Sequence, residues 1–484
     1  MRLGGSVLSA SAPSSKPSSA ASTLWRLALA SSDNWETVAA TCAAGEEDDG
    51  RVSPLAGAAG CRSGPRPAAP AGLQAGAQAR SLVQHRGTGF NSINLTATQW
   101  AATTSIDFSL AQLVQVIVLL GTGGLNGGGY MASKYVVLAM YGAILVIHGL
   151  INSLPIQYMA WVGQLGAFWD VAGMFVLVIV IPAVAKERAS AGFIFTHFNV
   201  DDGTGIKDKA YILALGLLMS QYSIVGYDAS AHMTEETKNA DWSGPMGIIT
   251  SVALSSVFGW VYLVALTSLV TDDIPYLLDP GNDAGGYAVA QALYDAFHGR
   301  FGTGVGGLVC LGLVAGATFL CGCACITSNS RMGYAFSRDR AMPFSHFWYR
   351  INKQEVPFNV VWLSVAVAFV MALTVAFQAM LSIATVGQYI AYALPIFFRV
   401  TTARRSFVPG TFHLGNYGVV VGWVAVAWVA LVTVLFSLPV AYPVAADNFN
   451  YTPVLVGGVV VLSVGAWVLH ARFWFRGPIT NVEL

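Results

Sequence analysis

Polar and apolar positions divide this chain into two unlike parts. From Gln99 onward, apolar runs of membrane length follow one another with short polar breaks, whereas residues 1–90 hold no such run. A helix needs ~20 apolar residues to cross a bilayer. Ten stretches meet that need: 99–121, 135–154, 159–184, 210–231, 247–269, 305–327, 359–377, 380–399, 417–440 and 453–473. The pattern predicts an all-α, polytopic membrane protein. Its spanning domain would cover residues 91–476, between a low-complexity tail at 1–90 and a short cytosolic tail at 477–484. Only Gln378 marks a turn between the seventh and eighth runs, so a shortened or re-entrant segment is the alternative there.

The fourth run differs from the others. Ala210–Ala231 reaches membrane length only if Gln221, Tyr222, Ser223 and Asp228 are counted in. Lipid makes such residues expensive, so they should face protein or a water-filled cavity. Gly226 sits between Val225 and Tyr227, where a helix can unwind. Two half-helices meeting there would aim carbonyl oxygens and amide N–H groups at one point, which makes the break the candidate substrate site. Asp228 has a competing role as the N-cap of a helix starting at Ala229. Asp107, in TTSIDFSLAQ, and Asp170 are the other acids inside predicted spans. Each suits a proton relay, a cation site or a substrate contact, or else a plain bond to a neighbouring helix. Beyond the break lie Glu235, Glu236 and Lys238, a candidate inner gate. Lys238 is within helical pairing reach of Glu235, so a solvated helix end is the alternative.

Composition sharpens this picture. The chain is 55% hydrophobic and 10% charged, where ~25% charged is usual for soluble domains. Zero net charge leaves no nucleic-acid footprint. Basic residues collect in loops 328–358 and 400–416 and after the last run, while loop 270–304 is acidic. The positive-inside rule therefore places the former in the cytosol and the latter outside, with both termini inside. Loop 185–209 conflicts, carrying Lys186, Arg188, Lys207 and Lys209 on the predicted outer side. Asn450-Tyr-Thr is an outer-loop glycosylation sequon.

The remaining motifs are bland. Cys321-Gly-Cys-Ala-Cys puts Cys321 and Cys325 on one helix face and Cys323 on another, which suits packing better than a metal. GTGGLNGGG (121–129) lacks the Lys of a phosphate loop and reads as a turn. Gly312/Gly316 and Gly418/Gly422 have the spacing of close helix contacts. No nucleophile–base set stands out, so neither an enzyme nor a cofactor is expected. In the tail, no acid precedes Asp33, while Arg2, Lys16 and Arg26 are basic. These are features of an organelle transit peptide or of a disordered tail. Plasma membrane and organelle membrane, mitochondrial included, both fit.

Several strings together carry a family resemblance: TTSIDFSLAQL (103–113), NGGGYMASKYVV (126–137), GYDASAHMTEETKNA (226–240), NDAGGYA (282–288), TSNSRMGYAFSRDRAMPF (327–344), NKQEVP (352–357) and NYTPV (450–454). With them the chain resembles plant amino-acid permeases of the bidirectional amino-acid transporter or GABA-permease type, in the amino acid–polyamine–organocation (APC) superfamily. The resemblance implies the leucine-transporter fold, with the ten runs standing for helices three to twelve and the first two family helices missing. It implies a secondary transporter of amino acids or related amines, GABA among them, working by alternating access. Its partners would be that substrate, the lipid bilayer and a coupling ion of unspecified kind. By position, Gln221, Tyr222, Ser223, Ile224, Val225, Gly226 and Tyr227 would lie along a broken sixth helix. Tyr222 would be an aromatic gate; as acids inside predicted spans, Asp228 and Asp107 are the further candidate substrate contacts. The alternative is a transport-dead, truncated form or a faulty gene reading of such a permease.

Overall fold

The computed structural model describes residues 71–197, 205–232, 237, 239–270, 274–340, 342, 344–374, 377–405, 407, 410–444, 449–469 and 473. Residues 1–70 of the expected tail, the 477–484 tail, and Glu235, Glu236 and Lys238 lie outside them. Every regular element among the described residues is helical. In chain order the helices are α1 (Ala71–Gly121), α2 (Lys134–Ile151), α3 (Ile156–Val184), α4 (Ala191–Thr196), α5 (Lys209–Tyr222), α6 (Ala229–His232), α7 (Ala240–Thr267), α8 (Ile274–Leu278), α9 (Ala288–Phe301), α10 (Val305–Arg338), α11 (Ser345–Trp348), α12 (Phe358–Thr374), α13 (Phe377–Val400), α14 (Tyr417–Leu435) and α15 (Thr452–Leu469).

Among the described residues, seven helices are long and apolar enough to cross a membrane: α1 from Asn94, α2, α3, α7, α10, α13 from Met380, and α14. Two shorter apolar helices, within α12 and α15, match the seventh and tenth runs. The fourth run, unlike those seven, does not form a continuous helix. The joint between the seventh and eighth runs is also tighter than a turn at Gln378 predicts. Gln378 lies inside α13, and only residues 375–376, outside the description, separate α12 from α13.

Helix α1 runs through the centre, packing most extensively against α13 and α10. Small residues allow these close crossings. Asn94 donates to the Gly387 carbonyl at 3.2 Å, and a Cβ on Gly387 would meet the Thr98 side chain. Of the predicted small-residue contacts, Gly418 and Gly422 both seat α14 against α13, at Arg399 and at Val400. In the other pair only Gly316 touches a neighbour, lying against Trp169 of α3, while Gly312 faces open space. Around this centre the helices turn large apolar side chains outward. On α7, Val257, Trp260 and Leu263 are each about 60% exposed, which suits a lipid-facing surface.

The acidic loop 270–304 contains more structure than its composition predicts. Helix α9 is too short and too polar to span, yet it buries Ala290, Leu293 and Phe297 in the core that Leu113, Leu177, Ile181 and Leu311 also form. This loop gathers its neighbours on one face of the molecule. Leu125 N–H donates to the Asp283 carbonyl at 3.0 Å and Ala189 N–H to the Ser268 carbonyl at 3.1 Å. Lys186 and Glu187 share a cavity of about 220 Å³ with Tyr276 and Asp295. The basic residues that conflict with the orientation rule therefore begin on the same face as the acidic loop. At Asn450 the sequon amide is already engaged, donating to the carbonyls of Phe436 at 2.9 Å and Leu438 at 2.7 Å.

Candidate functional site

Helix α5 starts where Asp208 caps it, accepting from Tyr211 N–H at 3.0 Å. It holds 14 residues, about 21 Å at ~1.5 Å per residue, short of the ~30 Å hydrocarbon core. It stops at Tyr222, and the chain passes through residues 223–228 as turns before α6 begins at Ala229. The cause is local. Gly226 has φ of 103°, a region that L side chains rarely adopt. Bonds around it contract to three-residue spacing: Ile224 N–H to Gln221 O at 3.3 Å, Val225 to Tyr222 at 3.1 Å, and Ala229 to Gly226 at 3.0 Å. Among the described residues no backbone N–H reaches the carbonyls of Ile224 and Val225. These are acceptors left over by the break, which inside a membrane call for a partner.

The two sides of the break are tied to α1. On the α5 side, the Tyr222 hydroxyl lies 2.7 Å from Ser105 Oγ, and its ring packs against the cluster that Ala101, Ala102, Met380, Ile383 and Ala384 form. On the α6 side, Gln99 donates from Nε2 to Asp228 Oδ2 at 3.0 Å, and His232 Nε2 lies 2.9 Å from the same oxygen. Asn329 of α10 extends this chain of bonds, donating to the Gln99 carbonyl at 3.3 Å and to Thr103 Oγ1 at 2.7 Å. Asp228 thus spends one oxygen on Gln99 and His232, with the other buried. Tyr227 stacks obliquely on Tyr392 of α13 at 5.1 Å. Ser223 is exposed and bonds back to the Met219 carbonyl at 2.9 Å, so its hydroxyl is turned along its own helix.

A cavity of about 400 Å³ opens beside the end of α5. Tyr222 forms part of its wall, with Ser109 of α1, Trp169 and Asp170 of α3, Tyr262 of α7, and Thr318 and Cys321 of α10. Most of that wall is apolar, with a few hydroxyls and one carboxylate, as small-molecule sites usually are. Of the residues expected at the site, Tyr222 alone lines this cavity, while residues 223–228 form the break behind it. Asp107 is elsewhere. Its neighbours Ile106 and Ser109 face the cavity, but its own carboxylate turns to His148 of α2. Cys321 faces the cavity and Cys323 the opposite side, against Asn152, in keeping with their helical spacing. Sequence reasoning missed Trp169, Tyr262, Thr318, Gln99 and His232. Only His232 carried a signal, as the first strongly polar residue after Asp228.

A helix broken beside a cavity, held by a buried polar chain to a central helix and surrounded by outward-facing apolar helices, defines a multi-pass membrane transporter. Comparison with known proteins says which kind. Residues 79–460 match the amino acid permease family model, and the chain belongs to that family. Over 390 residues it is 62% identical to the amino-acid permease BAT1 homolog of Oryza sativa subsp. japonica, covering 80% of this chain and 75% of that one. Over 389 residues it is 60% identical to amino-acid permease BAT1 of Arabidopsis thaliana, covering 79% and 75%. The GABA-specific permease of Saccharomyces cerevisiae is 27% identical over 396 residues, covering 79% and 67%. The resemblance read from the motifs therefore holds across most of the chain, and the chain is a transporter. These findings favour the amino-acid transporter reading over the transport-dead alternative.

Proposed function

We propose that the chain carries small amino acids or related amines, GABA among them, by alternating access, with the substrate held in the cavity beside the α5–α6 break. The observation that carries this reading is the break itself. It combines an α5 too short to span, a left-handed Gly226 and, just past the cavity-lining Tyr222, two carbonyls that no backbone N–H reaches among the described residues. The Ile224 and Val225 carbonyls suit the substrate's ammonium group, and Tyr222 suits a gate because Ser105 already orients its hydroxyl. Asp228 acts less as a free substrate ligand than as the anchor holding α6 to α1 through Gln99. Breaking that bond would free α6 to move relative to α1, which alternating access requires. Glu235, Glu236 and Lys238 follow α6 in sequence, which supports their assignment to an inner gate.

The test is uptake and counterflow of labelled GABA and a labelled neutral amino acid in liposomes holding this chain. Saturable counterflow of at least one of them is the expected result. Its absence from monodisperse, folded protein would contradict the proposal and favour the transport-dead alternative.

A further inference from the structure

One pair of ionisable groups has no place in that scheme. Asp107 of α1 and His148 of α2 face each other with 3.2 Å between Oδ1 and Nδ1, and both side chains are fully buried. They meet where α10 crosses, at Gly322. A Cβ there would press on Asp107 Oδ1 and sit 2.8 Å from His148 Cε1. The Phe319 ring covers the imidazole at 4.5 Å. Although Oδ1 and Nδ1 approach this closely, neither carboxylate oxygen of Asp107 and neither ring nitrogen of His148 makes a hydrogen bond among the described residues. A carboxylate kept only for structure is normally saturated with donors, because an unsatisfied buried charge is costly. This one is not.

We propose that Asp107 and His148 together bind a proton that is coupled to substrate movement. The inference rests on the transport reading above. Among the described residues, the basic group within 4 Å of Asp107 is a histidine, a side chain able to take up and release a proton where Lys and Arg hold theirs. With His148 neutral and Asp107 ionised the site carries a net negative charge in a dry, lipid-embedded setting. One added proton, taken up by either member of the pair, makes the two neutral overall, and no other bond is made or broken. The titratable side chains that interact with Asp107 include Tyr141 of α2 and Tyr222 of α5; on α10, Cys321 and Cys325 lie by Tyr222 and Cys323 lies against Asn152. None of these is basic, so the proton has no competing acceptor of similar strength. A route to the substrate site is also present. Asp107 lies two residues along α1 from Ser105, the partner of Tyr222 at the end of α5. A change in the fit of α1 against α2 would therefore be felt at the break.

The experiment uses liposomes loaded with a pH-sensitive dye and containing the parent chain, Asp107→Asn, His148→Gln, or both changes together. The double variant leaves no unpaired buried charge, so it keeps the test available if a single change prevents folding. For the parent, an inward proton gradient should accelerate uptake and drive accumulation, with protons entering alongside substrate. In the variants gradient-driven accumulation should fall to passive equilibration, while counterflow is slowed much less. Parent transport without proton movement, or variants driven as well as the parent, would overturn the proposal. No counterflow from the parent would instead strike at the transport reading itself.

Discussion

Replacing Gly322 of α10 with alanine is expected to destabilise the folded protein strongly. In an exposed helix, Gly→Ala gains ~1 kcal/mol of helix propensity, so the sign here must come from packing. The new Cβ would press on Asp107 Oδ1 and lie 2.8 Å from His148 Cε1, and neither side chain has any exposed surface into which to retreat. Overpacking of a tight core costs ~1–3 kcal/mol. Forcing these two buried polar groups apart adds to that, because each is left without the partner it faces. Thermal unfolding in detergent, followed by intrinsic fluorescence, should show a clear drop in midpoint. Gly312→Ala is the matched control on the same helix. Nothing lies within 4 Å of its added methyl, so its midpoint should hold or rise slightly.

Gly226→Val should have the opposite profile, with modest effect on folding and a large effect on transport. A Cβ at this position meets nothing within 4 Å, so sterics against neighbours are not the issue. The backbone is. At φ of 103° a β-branched residue is strained by ~1–3 kcal/mol, and the chain can relieve this by closing the turn into regular helix. Closure would supply N–H donors to the Ile224 and Val225 carbonyls and rotate Asp228 away from Gln99. Counterflow of labelled substrate should then be lost from protein that still elutes as a folded species. Gly216→Ala, in α5 with open space around it and no positive φ, should transport normally. If Gly226→Val transports as well as Gly216→Ala, the open turn is not needed for function.

These two glycines also show what the sequence could and could not reveal. Gly226 was legible because it stands in a run whose polar residues already disqualify it as an ordinary span. Local composition and local structure coincide there. Gly322 gave no such signal. Its meaning depends on Asp107 and His148, which sit on two other helices, and only the crossing of α1, α2 and α10 brings the three together. The same distinction explains the larger features. Hydropathy located the spanning segments because lipid imposes one length and one composition on each of them. Helix α9 escaped notice because it is amphipathic and short, and its burial depends on Leu311 and Ile181 being beside it. The cavity combines five helices, with Trp169, Tyr262 and Thr318 contributing single positions that no spacing rule connects.

The claim that most needs direct proof is that substrate occupies the cavity beside the break. Cys321 lines that cavity and Cys323 faces the other side of α10, so the chain contains its own probe and its own control. The measurement is the rate at which a small, membrane-permeant thiol reagent modifies Cys321, read by peptide mass mapping, with and without a saturating amount of a transported amino acid. The account predicts that substrate slows modification of Cys321 and leaves Cys323 unchanged. Equal rates at Cys321 with and without substrate, in protein shown to transport it, would place the binding site elsewhere.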